Sequence, residues 1–489
     1  MSKRVIIDAD KPLSRSLLWQ IQQAYFLNTG MKAWQDDVVP SDISSNPVMA
    51  RAYSQILFGY LRDCFAAAQQ SDFALDASQP INIVELGAGS GRLAYHFLQI
   101  FLPKYHQSSF ASQPIRYIMT DFVPEILEFW RGHGRFQQYF DAGLLDVALF
   151  DVMAMERPFH LQISNQTLTP EAVSNPLILI ANYFFDSVPQ DSFVIEDGLL
   201  CQNLLTLTSR QPEPDLVDAS LWDRLELHYE PIPLEKSVYD QHVYNQILDD
   251  YEATLPDCKF SFPNVGLDCV QYWQRFGNGR LLLLTSDRGY SQIDALLNQP
   301  DPLPNLHGSF SLMVNYHALS EYISRSGGLV CQAPHYQDNI QLLAYGLGQL
   351  PQQAQETQLA FAQAVGEGGS PDDFYALKGV VEKVYSSMSL PELLAFLRLS
   401  GWDTAVFTDM QPHLKQQLET ADPAWYPDVA DALHTVWQCY LPLHQEDSTY
   451  QKICHLLDLM GYESLSNWFG ASKANTEGTI SGLAKRKSW

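Results

Sequence analysis

The 489-residue chain sets 30 Lys and Arg against 56 Asp and Glu, a formal net charge of −26, so its field repels phosphate backbones and anionic lipid and argues against nucleic acid or a membrane surface as partner. Hydrophobic residues at 46% and aromatics at 12% exclude a disordered or collagen-like polymer, and the length implies about two to four domains. Seven Cys, an odd number without a C-x-x-C pair and set in apolar runs such as CHLLDLM, read as reduced core thiols. The start MSKRVIIDADKP lacks the apolar stretch of a signal peptide, and no run approaches the ~18 apolar residues that cross a bilayer; the expectation is a cytoplasmic protein.

Residues 1–75 read as an N-terminal helical cap. Apolar positions recur with helical period at Leu17, Ile21, Ala24 and Tyr25, then at Ala52, Ile56, Leu57, Phe58, Leu61 and Phe65, with the turn-rich VVPSDISSNP between them. From residue 81 short β-branched runs alternate with helical stretches: INIVEL, RLAYHFLQIFL, RYIMTD, PEILEFWRGH, LLDVALFDV and PLILIANYFF. That alternation predicts βαβ units, hence an α/β domain over 76–355 with helices on both faces of a parallel sheet. SFVIEDGLLCQNLLTL reads as a hairpin about its Asp-Gly turn, and GRLLLLTSD as a buried strand. Between them the polar segment of about 207–275 reads as a helical insertion, with helices at YDQHVYNQILDDYEATL and VGLDCVQYWQRF. Residues 356–470 read as an all-helical domain whose recurring small and aromatic residues (Tyr440, Leu457, Gly461, Tyr462, Phe469) resemble tetratricopeptide hairpins without a clean repeat period. The polar 471–489, ending in Lys485, Arg486 and Lys487, reads as a flexible tail.

The chemistry concentrates at Ile83-Val84-Glu85-Leu86-Gly87-Ala88-Gly89-Ser90-Gly91, a buried strand running through three alternate glycines into a helix. Glycines there remove the Cβ atoms that would keep a ligand off the turn and the helix off the strand. The spacing is neither the G-x-G-x-x-G dinucleotide fingerprint nor a P-loop, and an acidic Glu85 repels a pyrophosphate but receives an ammonium. The expected ligand is a cationic nucleoside such as S-adenosylmethionine, on Glu85, Gly87, Gly89 and Gly91. The next strands end in Asp121, placed to accept from ribose hydroxyls, and in Asp151-Val152, placed for the adenine amino edge.

With these residues the sequence resembles the Rossmann-like, seven-stranded class I S-adenosylmethionine-dependent methyltransferases. A narrower likeness lies in Ala181-Asn182-Tyr183-Phe184-Phe185-Asp186-Ser187-Val188-Pro189 followed by SFVIEDG, which resembles the A-N-E-F-F-D-A-L-P segment of the MidA-like methyltransferases, a family that includes the mitochondrial complex I assembly arginine methyltransferase. SDISSNPVMARAYSQI, LLLLTSDRGY and SLMVNYHALSEYISRSGG are similar to further segments of that family, and the likeness spans roughly 12–350. It implies a protein or peptide substrate, methylated on an arginine nitrogen. Tyr183 and Asn315 stand where the family carries acids; Asp186, Asp191 and Asp287 are candidate replacement charges.

Methyl transfer asks the protein to align, desolvate and take a proton. Asn182 and Asp186, just past a buried strand, are the expected catalytic residues that orient the nucleophile, and His307 and His317 are candidate bases. No His/Cys/Asp cluster has metal-ligand spacing. The alternatives are a small-molecule methyltransferase that uses 207–275 as a lid, and a non-catalytic assembly factor that binds the nucleoside.

Overall fold

The computed structural model describes residues 4–462 apart from 37, 40–44, 71–72, 214, 219, 235–236, 308, 334–339, 351–353, 368 and 445–447. The expected tail 471–489 and Phe469 lie outside the described residues.

Among the described residues the central sheet has nine strands: β1 (Ile81–Leu86), β2 (Ile115–Asp121), β3 (Leu145–Leu149), β4 (Phe159–Leu161), β5 (Gln166–Leu168), β6 (Leu177–Asn182), β7 (Leu281–Asp287), β8 (Leu329–Gln332) and β9 (Gln341–Leu347). They lie side by side in the order β8-β9-β7-β6-β1-β2-β3-β4-β5. The five from β7 to β3 are parallel, β9 runs antiparallel to β7, and β8 antiparallel to β9. Of these, β1, β2, β3, β6 and β7 are the runs expected as strands from the sequence; β8 and β9 are additional, as is the short antiparallel edge hairpin β4–β5, whose three-residue strands are too brief to show a period. β1, β2, β6, β7 and β9 are buried along their whole length, as the near-continuous apolar runs of strands covered on both faces require.

One face packs against helices Pro47–Gln69 and Arg92–Tyr105, with Tyr53, Ile56, Phe97 and Phe101 in its core. The other packs against His242–Thr254, Asn264–Gln274 and Tyr316–Arg325 around Tyr244, Trp273 and Tyr316. From β1 the chain moves outward to β2 and β3, then returns to β6 and β7 on the other side of β1. The β1–β6 junction is thus a topological switch point, where a crevice opens at the carboxyl ends of the strands.

Two expectations are corrected. The excursion between β6 and β7 is not simply helical: Asp191–Glu196, Leu199–Ser209, Glu226–Pro233 and Cys258–Phe262 build a second, antiparallel sheet. Glu226–Pro233 is an edge strand, which explains how Pro231 and Pro233 are tolerated and why they mask it in the sequence. The cap is not purely helical either, because Val5–Lys11 joins this sheet by pairing with Leu199–Ser209.

Helix Gln355–Phe361 packs on Pro47–Gln69, where the Asp63 carboxylate accepts from the amides of Glu356 (3.2 Å) and Thr357 (2.7 Å) and from the Thr357 hydroxyl (2.7 Å). By packing it belongs with the first core and not with the helices that follow. Those helices, Pro371–Glu382, Leu390–Leu399, Thr404–Leu418, Tyr426–Cys439 and Ser448–Leu459, share a core of their own. They meet the sheet unit where Tyr95 donates to the Gln438 carbonyl (2.7 Å) and Arg135 to that of Trp437 (3.1 Å). Among the described residues no helix is long and apolar enough to cross a membrane. None of the seven cysteines is in a disulfide, and all but Cys439 are buried.

Candidate active site

β1 ends in a turn where Gly87, Gly89 and Gly91 have φ of 60°, 51° and 76°, a left-handed backbone that only glycine adopts cheaply. The turn is held from β2. Ala88 N–H donates to the Thr120 carbonyl (2.8 Å), Gly89 N–H to Asp121 Oδ2 (3.2 Å), and Val123 N–H to Asp121 Oδ1 (3.1 Å). Trp130 Nε1 donates to the Gly89 carbonyl at 3.0 Å. A Cβ at Gly91 would lie 2.9 Å from Met119 Cε and 3.1 Å from Trp130 Nε1, so this glycine lets helix Arg92–Tyr105 close on the sheet.

Over the switch point lies a cavity of about 520 Å³. Glu85, Gly87, Gly89, Asp121, Asp151, Val152, Asn182 and Asp186 all line it. Of the residues expected to bind the cofactor or orient the nucleophile, the cavity gathers all but Gly91, whose place is the packing just described.

Glu85 is 2% exposed and accepts from the Tyr117 hydroxyl at 3.0 Å; burial pushes its carboxyl up to about 8, against that hydrogen bond. Burial raises Asp121 to about 6, opposed by the amides it accepts from. Asp151 caps the turn Val152–Ala154, accepting from Met153 N–H at 2.9 Å. Asn182 Oδ1 accepts from the Tyr53 hydroxyl at 3.1 Å, which ties the end of β6 to helix Pro47–Gln69. Asp186 accepts from Ser187 Oγ at 2.8 Å; burial raises it to about 6, with Ser187 and Arg288 pulling the other way. Behind it Asp287 Oδ2 accepts from the amides of Phe184 (3.2 Å) and Phe185 (2.9 Å).

Tyr183, in place of the family acid, lines the cavity with φ of 52°, its amide held by the Ser286 carbonyl at 2.8 Å. Asn315 is off the cavity and caps helix Tyr316–Arg325, accepting from Ala318 N–H at 3.0 Å and donating to the Ser261 carbonyl at 2.9 Å. Asp191 is also outside the lining and accepts from Ser14 N–H (3.2 Å) and the Tyr239 hydroxyl (2.7 Å). His317 bonds the Tyr251 hydroxyl at 2.7 Å, away from the cavity. His307 ends the short strand Asn305–His307.

The sequence reading missed a whole wall. Arg15, Trp19, Gln22, Phe26 and Trp34, all N-terminal, also line the cavity, as does Arg288, whose charge acts on Asp186. Trp34 covers the glycine turn: a Cβ at Gly89 would lie 2.7 Å from its Cζ2. Phe26 stacks on Trp34 at 5.8 Å between ring centroids. Trp34 sits in the four-residue helix Lys32–Gln35, too short to show a period that would mark it in the sequence.

Residues 64–283 match the family described as "Putative S-adenosyl-L-methionine-dependent methyltransferase". The chain is an S-adenosylmethionine-dependent methyltransferase. No curated protein matches it. Among solved structures it is similar to an uncharacterized protein from Burkholderia thailandensis, with 13% identity, 66% of this chain and 73% of that chain covered, and a TM-score of 0.37. A second Burkholderia thailandensis protein, described as a "likely methyl transferase" and bound to S-adenosyl-homocysteine, shares 12% identity over 74% of this chain and 86% of that chain, with a TM-score of 0.39. The CMeT domain of the citrinin polyketide synthase shares 14% over 69% and 68%, with a TM-score of 0.27.

The residues present suit S-adenosylmethionine. The cavity lies inside the range of about 300–1,000 Å³ usual for small-molecule sites. Gly87 and Gly89 leave a floor without side chains, and the rings of Trp34, Phe122 and Phe150 offer apolar faces to a base.

Proposed function

We propose that the enzyme methylates a side chain of a protein or peptide. The observation that carries this reading is the rim of the cavity. Met153, on the lining, is 57% exposed, and Leu303 and Leu306, flanking the lining residue Asn305, are 66% and 52% exposed. Large apolar groups left in water around a mouth suit a polypeptide laid across it more than a small molecule that enters whole.

In this reading Glu85 receives the amino-acid ammonium, Asp121 the ribose hydroxyls, and Asp151 with the Val152 amide the adenine edge. The cofactor, when bound, supplies an activated methyl group on a sulfonium. The chain's share is alignment and exclusion of water: Trp34 and Phe26 cover the cradle, and Asn182 and Asp186 orient the acceptor. Asn182 and Asp186 also support the MidA-like reading, in which that acceptor is an arginine nitrogen. The strands β8-β9-β7-β6-β1-β2-β3 would then be the seven-stranded Rossmann-like core, with β4–β5 an added edge. The helices from 371 onward would hold the polypeptide.

Incubating the enzyme with methyl-labelled S-adenosylmethionine and an extract of its own source lacking the gene tests the reading. Label should enter a polypeptide band. Label found only in the small-molecule fraction would contradict it.

A further inference from the structure

Asp186 follows β6 and Asp287 ends β7, so two adjacent strands deliver two acids to the cavity, one on its wall and one beneath. The Asp287 carboxylate accepts from the amides of Phe184 and Phe185, which sets it against the turn that carries Asp186, and the two acids are 3% and 0% exposed. Asp287 Oδ2 accepts from the two backbone amides and, at 3.4 Å, from the Tyr316 hydroxyl, while its Oδ1 is enclosed without a donor among the described residues. A buried acceptor with no donor, set against a second buried acid, is a costly arrangement if both groups are anions. A single proton between the two removes both problems, because a carboxylic acid donates to a neighbouring carboxylate.

The other groups facing the pair are the Arg288 guanidinium and the phenols of Tyr53, Tyr183 and Tyr316, and Tyr53 also feels the Glu85 carboxyl. Burial holds all three phenols well above their usual range, so they stay neutral and only Arg288 offsets the pair's charge. Burial, then the Asp186 charge, pushes Asp287 far above the usual carboxylate range.

Resting on the methyl-transfer reading, we propose that Asp186 and Asp287 form a pair holding one proton, in which Asp186 accepts the proton that the methyl acceptor loses and Asp287 positions it. The acceptor X–H bond breaks, its electron pair stays on X, and the proton forms an O–H bond on the Asp186 carboxylate. The pair passes from one negative charge to none. It returns when one proton leaves through the mouth of the cavity, where Arg288 is exposed.

The resting state is testable without cofactor or substrate, so a failure here is separate from a failure of the labelling experiment. A carboxyl whose folded pKa is raised keeps a proton that the unfolded chain has lost. Stability then falls as pH rises from the ordinary carboxylate range through about 6 for Asp186, and continues to fall for Asp287. Asp287→Asn keeps an acceptor for the Phe184 and Phe185 amides and gives Asp186 an N–H donor. Thermal unfolding of the full chain from about pH 4.5 to pH 8.5 should show the variant melting close to wild type at the acid end and about 3 °C or more above it at the alkaline end. Parallel curves would overturn the proposal. If the variant does not fold, a ¹³C-aspartate titration of the wild type decides: a carboxyl titrating near 6 that is missing from Asp186→Asn supports the pair, and titration of every aspartate below about 5 overturns it.

Discussion

Gly89→Val should weaken S-adenosylhomocysteine binding at least tenfold, a loss of about 1.4 kcal/mol or more in a calorimetric titration. Two independent effects point the same way. At φ of 51° a β-branched residue is strained, so the turn between β1 and its helix would have to move. The new Cβ would also meet Trp34, 2.7 Å from Cζ2 and 2.9 Å from Cε2, and drive the indole out of the position it shares with Phe26. Moving the turn takes the Gly89 amide from Asp121, whose two oxygens hold the cradle together. Undiminished affinity would show that the nucleoside does not lie on this turn.

Asp186→Asn should slow methyl transfer by about a hundredfold while leaving S-adenosylhomocysteine affinity within about twofold. The change keeps size and the contact with Ser187 Oγ and removes only the charge. Asp186 bonds Ser187 and takes no part in the hydrogen bonds that hold Glu85, Asp121 and Asp151, so the change leaves those three in place. Steady-state rates on the labelled polypeptide check the first half and calorimetry the second. A variant with full activity would reduce Asp186 to a turn residue, and a variant that loses cofactor affinity would move it into the other half of the site.

What the sequence made legible is what local pattern encodes. Glu85, the three glycines, Asp121 and Asp151 follow short apolar runs, and such runs buried on both faces show where each strand ends. Asn182 and Asp186 were readable for the same reason, past the fully buried β6. What was hidden depends on distant partners. Val5–Lys11 is mostly exposed and becomes a strand only by pairing with Leu199–Ser209, far along the chain. Trp34 gains its meaning from Gly89, and Tyr53 from Asn182, contacts that no window of local sequence contains. Asp287 ended a strand in the sequence reading too, but its closeness to Asp186 follows from β6 lying beside β7. Helix Thr404–Leu418 was obscured by Pro412 in its middle.

The central claim is that this cavity holds S-adenosylmethionine with Glu85 at its amino-acid end. The most direct measurement is a titration of the wild-type chain with S-adenosylhomocysteine near pH 7 in two buffers of different ionisation enthalpy. Without ligand the Glu85 carboxyl, raised to about 8 by burial, is mostly protonated there, and an ammonium placed beside it favours the ionised form. Saturable one-to-one binding with net release of a proton is expected, and the proton release should be lost in Glu85→Gln. The absence of saturable binding would contradict the claim.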